Sequence, residues 1–127
     1  MKNDMVLPFK SHYLVYIGRL PRMNRQAAHW SARWRLKRNC LKQWGIWPRP
    51  ATQKAHVVVT RVLGPRERLM DEWENVRVAF KGGIDALVQG NYLVDDSPAW
   101  ATFECRQDAS RRNIGPRMEV DVRYEGA

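Results

Sequence analysis

Ala55 to Gly64, AHVVVTRVLG, is the tightest constraint on how this chain folds. Its β-branched run favours extended backbone, so it reads as a strand. What surrounds it has a different period. Arg25 to Trp44, RQAAHWSARWRLKRNCLKQW, has helical spacing, with an inner stripe expected at Ala27/Ala28, Ser31, Trp34, Cys40/Leu41 and Trp44. Gly45 and Pro48 end it. Glu72 to Gln89 reads as a second helix, packed through Val76, Phe80, Gly83/Ile84 and Leu87 and stopped at Gly90. Gly82 and Gly83 each cost about 1 kcal/mol of helix propensity, which close approach to a sheet would explain.

Further strands are expected at HYLVYIGRL (12–20), AWATFECRQ (99–107) and RMEVDVRYE (117–125), with YLV (92–94) a short strand or an extended entry to a turn. Pro21 and Asn24 mark a turn before the first helix, and DASRRNIGP is a polar loop. The order β-α-β-α-β-β argues for an α/β (α+β) fold: a mixed β-sheet with two main helices packed against it, in a single domain over residues 1–127.

Charge is divided along this frame. Residues 1–70 carry fifteen Lys/Arg against two acids, net +13, while residues 71–127 carry seven bases against eleven acids, net −4. A strongly basic half calls for a polyanion, because Lys and Arg on phosphates release condensed counterions. The bases do not sit opposite a clean apolar helical face, which favours nucleic acid over a membrane surface. Arg22, Arg25, Arg33, Arg35, Lys37 and Arg38 are the expected backbone-phosphate contacts. Trp30 and Trp34, four apart on the first helix, are expected in the core or at a dimer seam rather than stacked on bases. No apolar stretch near the start is long enough for a signal peptide or a membrane span, so a cytoplasmic location is expected. Cys40 and Cys105 lack metal spacing and read as reduced, at least partly buried thiols.

Inside this basic chain lies an acidic island, Asp71, Glu72, Glu74, Asp85, Asp95 and Asp96, joined by Lys81. On a continuous helix, Glu74, Lys81 and Asp85 share one side, and Asp95 and Asp96 return from the segment beyond it. Converging carboxylates suit Mg²⁺, a hard cation held by a few acids together with substrate phosphate. Acids in a first helical turn and a DDSP turn also have ordinary structural uses. What favours a site is the contrast: bases that attract phosphate surround acids that repel it, and a bound cation removes the contradiction.

The ordered set Glu72-Trp73-Glu74-Asn75, Lys81, Asp85-Ala86-Leu87 and Asp95-Asp96-Ser97, with YIGRLPRMNR upstream, resembles the signature of RusA-type Holliday junction resolvases, many carried by phages. That resemblance implies a homodimeric, Mg²⁺-dependent endonuclease that resolves four-way DNA junctions by paired nicks, in a bacterial host's cytoplasm where phage-encoded. It implies metal ligands at Glu72, Glu74 and Asp96, a catalytic lysine at Lys81, and supporting roles for Asn75, Asp85 and Asp95. Both members of the acid pair are Glu where the family usually has Asp, and Asp71 is an alternative ligand. The interval from Asn75 to Lys81 is three residues longer than in the family's shorter form, close to one helical turn. The alternative reading is a catalytically weakened or inactive RusA-like DNA-binding protein; a third is an interaction subunit whose basic helix meets an acidic protein.

Overall fold

The computed structural model describes residues 11–21, 26–70 and 73–126, with the side chains of 26–29 and 73–75 outside that description. Four strands, β1 (Ser11–Ile17), β2 (Ala55–Val62), β3 (Ala101–Asp108) and β4 (Arg117–Tyr124), form one mixed sheet in the order β1-β4-β2-β3. β4 lies antiparallel to both β1 and β2, while β2 and β3 run parallel. Three helices complete the fold: α1 (Gln26–Trp44), α2 (Trp73–Ala79) and α3 (Lys81–Gln89). The mixed sheet with helices against it is the architecture that the element order implies.

Strand alternation decides which face the helices cover. Leu14 and Tyr16, Ala55, Val57 and Val59, Ala101 and Phe103, and Met118, Val120 and Val122 share one side by register. They pack with Leu36 and Cys40 of α1, Val76 and Ala79 of α2, and Ile84, Ala86 and Leu87 of α3. Burial pushes the Cys40 thiol up to about 12, so it is an inert core residue, and both cysteines are free thiols.

Three sequence expectations change. The helix over 72–89 is two segments meeting at Phe80, whose backbone (φ −92°, ψ 11°) leaves the helical region. Phe80 is fully buried there, and a side chain on Gly83 would stand 2.3 Å from its ring. The glycine therefore makes room for the bend. Of the two readings of YLV, the strand is not formed; Tyr92 and Leu93 are buried in the loop that leads to the DDSP turn. On α1, Leu36 takes the inward position, while Trp34 is 52% and Trp30 76% exposed. Two residues are about 200° of helix, so Leu36 and Trp34 face opposite ways. Arg38 covers the Trp34 ring at 4.8 Å.

The opposite sheet face is laced with charge. Arg111 makes a two-pronged ion pair with Glu119, and Arg117 also binds that carboxylate. Hydrogen bonds from Arg111 and then Arg117 hold Glu119 down to about 2. Asp108 is likewise held at about 2 by the Ser110 hydroxyl and then Arg111. Lowered carboxyl pKa values give stability that is complete above the unfolded-state value, about 4, and is lost as pH falls toward 2. Wild-type melting temperature is therefore expected to drop between about pH 4.5 and 2 more steeply than that of Glu119→Gln. Parallel curves in that window would refute the assignment.

Candidate functional site

The acid-bearing segment is delivered by the exit from β2. Gln107, on the core-facing side of β3, accepts from the Met70 N–H at 2.8 Å and donates to its carbonyl at 2.8 Å. Those bonds imitate one rung of a β-ladder. Arg61, buried at the end of β2, donates to Gln107 Oε1 and to the Arg68 carbonyl. Arg112 bonds the carbonyls of Gly64 and Glu67, both at 2.7 Å. The chain thus reaches Met70 on a braced path, one residue before the acids begin. Asp71 and Glu72 lie outside the described residues, as do Arg22 and Arg25. Glu74 and Asn75 are placed by backbone alone, in the first turn of α2.

α3 then carries two of the expected residues. Lys81 is its first residue and Asp85 follows one turn later, so both point along the same side. α3 comes extremely close to α1 at Gly82: a Cβ there would lie 2.2 Å from the Arg33 carbonyl oxygen and 3.0 Å from the Lys37 nitrogen. The close approach inferred from the paired glycines is real, but its partner is α1 rather than the sheet. Gly82 and Asp85 are three residues apart on one face, so the contact that seats Gly82 on Arg33's backbone also brings Asp85 to Arg33's side chain. Arg33 Nε donates to Oδ2 at 2.7 Å and Nη2 to Oδ1 at 3.0 Å.

Arg33 is held above the ordinary guanidinium value by that hydrogen-bonded pair first, with a further contribution from the charge of Asp96. Asp96 therefore stands within electrostatic reach of Arg33, although it belongs to the segment that leads from α3 into β3. That segment is anchored from both ends. Asn91 (φ 72°) starts it, donating to the Trp47 carbonyl, and Tyr92 donates to the Trp44 carbonyl. Trp100 and Ala101 close it by donating to the Ser97 carbonyl.

Arg33, Asp85 and Asp96 are thus one electrostatic group, with Lys81 a turn away on α3. The two aspartates differ in what remains available. Both Asp85 oxygens are engaged by Arg33, whereas Asp95 and Asp96 make no hydrogen bond or ion pair among the described residues. Lys81 is likewise without an ion-pair partner among them. Asp95 and Asp96 thus keep lone pairs unengaged by the described residues, while Asp85 fixes the orientation of the Arg33 guanidinium.

Among the described residues no three His, Cys, Asp or Glu side chains gather as a metal site would need. A hard-oxygen site at this place therefore depends on acids of the 71–74 segment joining Asp96. The remaining expected DNA contacts are distributed over α1: Arg35 and Arg38 are exposed and Lys37 is half-buried beside Gly82.

Sequence reasoning missed Gln107, Arg61 and Arg112 as the residues that steer the acidic segment. A signal for Gln107 was present, since it continues the inward alternation Ala101, Phe103, Cys105 with a polar side chain. No helix among the described residues is long and apolar enough to cross a membrane. No protein-family model matches the chain, and no curated protein matches it.

Proposed function

We propose that this protein is a Mg²⁺-dependent, structure-selective DNA endonuclease of the RusA type that resolves four-way junctions by paired phosphodiester hydrolysis, acting as a homodimer in a cytoplasm. The observation that supports the reading is the Asp96 carboxylate, within electrostatic reach of Arg33 and without a hydrogen bond or ion pair among the described residues, while Arg33 saturates Asp85 and Lys81 has no ion-pair partner among those residues. Glu72, Glu74 and Asp96 would hold the cation, with Asp71 or Asp95 as possible substitutes. Mg²⁺ bound there supplies Lewis-acid polarisation of a phosphoryl oxygen.

The chain's own residues do the rest. Lys81 directs an ammonium toward the phosphate and stabilises negative charge as it grows on the leaving oxygen. Arg33, clamped by Asp85, presents a guanidinium at fixed orientation, and Arg35, Lys37 and Arg38 extend the positive face along α1. Two opposed strands at a junction need two such centres, which is the argument for a dimer.

The test is a synthetic four-way junction incubated with and without Mg²⁺. Symmetric nicks with the metal and intact strands without it are expected. Glu72→Gln with Glu74→Gln is expected to bind the junction and leave it uncut. A wild-type protein that binds the junction in Mg²⁺ but never nicks it would defeat the nuclease assignment and leave a DNA-binding protein of this fold.

A further inference from the structure

The segment between β2 and α2 borders a hollow of about 750 Å³ whose lining contains four arginines, Arg19, Arg61, Arg66 and Arg68, and a single acid, Glu67. The acid is already consumed: Glu67 accepts from the Gly64 N–H at 2.8 Å and lies 3.6 Å from Arg61 Nη2. Arg61 is spent too, on Glu67, Gln107 and the Arg68 carbonyl, with 7% of its surface exposed. Arg61 and Glu67 are the floor. Arg19, Arg66 and Arg68 are exposed and have no ion-pair or hydrogen-bonding side-chain partner among the described residues. Three like charges left unpaired around one concavity repel each other, an arrangement that an anion relieves.

The hollow is preorganised. Arg112 grips the two carbonyls at the ends of the Gly64–Glu67 turn, and Gln107 fixes Met70, so Arg66 and Arg68 project from braced backbone. It also has a direction. Its lining ends at Met70, next to the acidic segment, and at Pro21 on the other wall. A second hollow of about 210 Å³ shares Arg19 and Pro21 and continues to Arg35 on α1. Together the two hollows form a basic track from α1 past Arg19 to Arg66 and Arg68.

We infer that this track is a binding site for the sugar-phosphate backbone of DNA, in which Arg19, Arg66 and Arg68 contact consecutive phosphates of the strand that enters the acidic segment. The inference rests on the nucleic-acid half of the proposed function and not on hydrolysis. Three guanidiniums with no base-reading partner predict grip without sequence preference.

The experiment measures binding of the full chain to a labelled four-way junction and a linear duplex, in EDTA so that no strand is cut, across a NaCl series. Arg66→Ala and Arg68→Ala are each expected to weaken both DNAs about three- to ten-fold near 0.1 M salt. Each is also expected to reduce the slope of log K against log salt by about one. Arg106→Ala, which removes the same charge from a Glu104-paired arginine on the opposite sheet face, is expected to change little. Unchanged affinity and slope in both track variants would overturn the inference, as would an equal loss in Arg106→Ala, which would mean net charge alone. Arg66 and Arg68 are both exposed, and melting temperatures close to wild type confirm that the comparison is between folded proteins. Nicking by the wild type with unaffected track variants removes the track and keeps the nuclease. Weakened binding in a protein that never nicks keeps the track and removes the nuclease.

Discussion

Lys81→Ala is expected to slow junction cleavage about 10²- to 10³-fold at saturating Mg²⁺ while junction affinity in EDTA changes less than about three-fold. The reasoning is one of charge accounting. Asp85, one turn further along α3, is the acid on which Lys81 would naturally settle, and Arg33 occupies both of its oxygens. The ammonium is therefore left without an ion-pair partner among the described residues, as the proposed chemistry requires. A lysine that only stabilised the fold would show its loss in melting temperature; one that only gripped DNA would show it in affinity. Single-turnover cleavage read beside both separates these cases. A cleavage rate within two-fold of wild type would remove Lys81 from the reaction.

Gly82→Ala is expected to destabilise the protein by about 2–3 kcal/mol, lowering the melting temperature by roughly 10 °C. Two effects oppose each other. Alanine improves helix propensity by about 1 kcal/mol. Against this, its methyl group would sit 2.2 Å from the Arg33 carbonyl oxygen, a backbone atom that no rotamer change can remove. The helices must separate, and the clash wins. Because Arg33 also holds Asp85, the same displacement loosens that pair, so cleavage is expected to fall by more than stability alone explains. A variant as stable as wild type would mean that α1 and α3 are not tightly seated at this point.

The strands were legible because alternation is local: the inward set of β2, β3 and β4 can be read off one residue at a time. The bend at Phe80 was not, since 72–89 keeps helical spacing throughout and only burial of the Phe80 ring over Gly83 interrupts it. Paired glycines announced a close approach but not its partner. The core reading of Trp34 fails because an aromatic at helical spacing reads as core, whereas Leu36 holds the inward position. In the candidate site, the order and spacing of Lys81, Asp85 and Asp96 were visible, and the family resemblance implied different roles for the two aspartates, but the two-pronged pairing of Asp85 was not legible. It depends on Arg33, 52 residues away in sequence.

The position of β4 has a consequence for biosynthesis. It follows the other three strands in sequence yet lies between β1 and β2, pairing Ser11 with Arg123 on one side and Ala55 with Tyr124 on the other. As the polypeptide emerges from the ribosome, β1 has no strand to zip against, and β2 keeps one unsatisfied edge, until β4 has been made. Completion of the sheet thus waits on pairing between segments far apart in sequence, which is slow and leaves nascent molecules prone to sticking together. Faster translation or crowded expression is expected to increase the insoluble fraction, and cooler, slower induction to recover it.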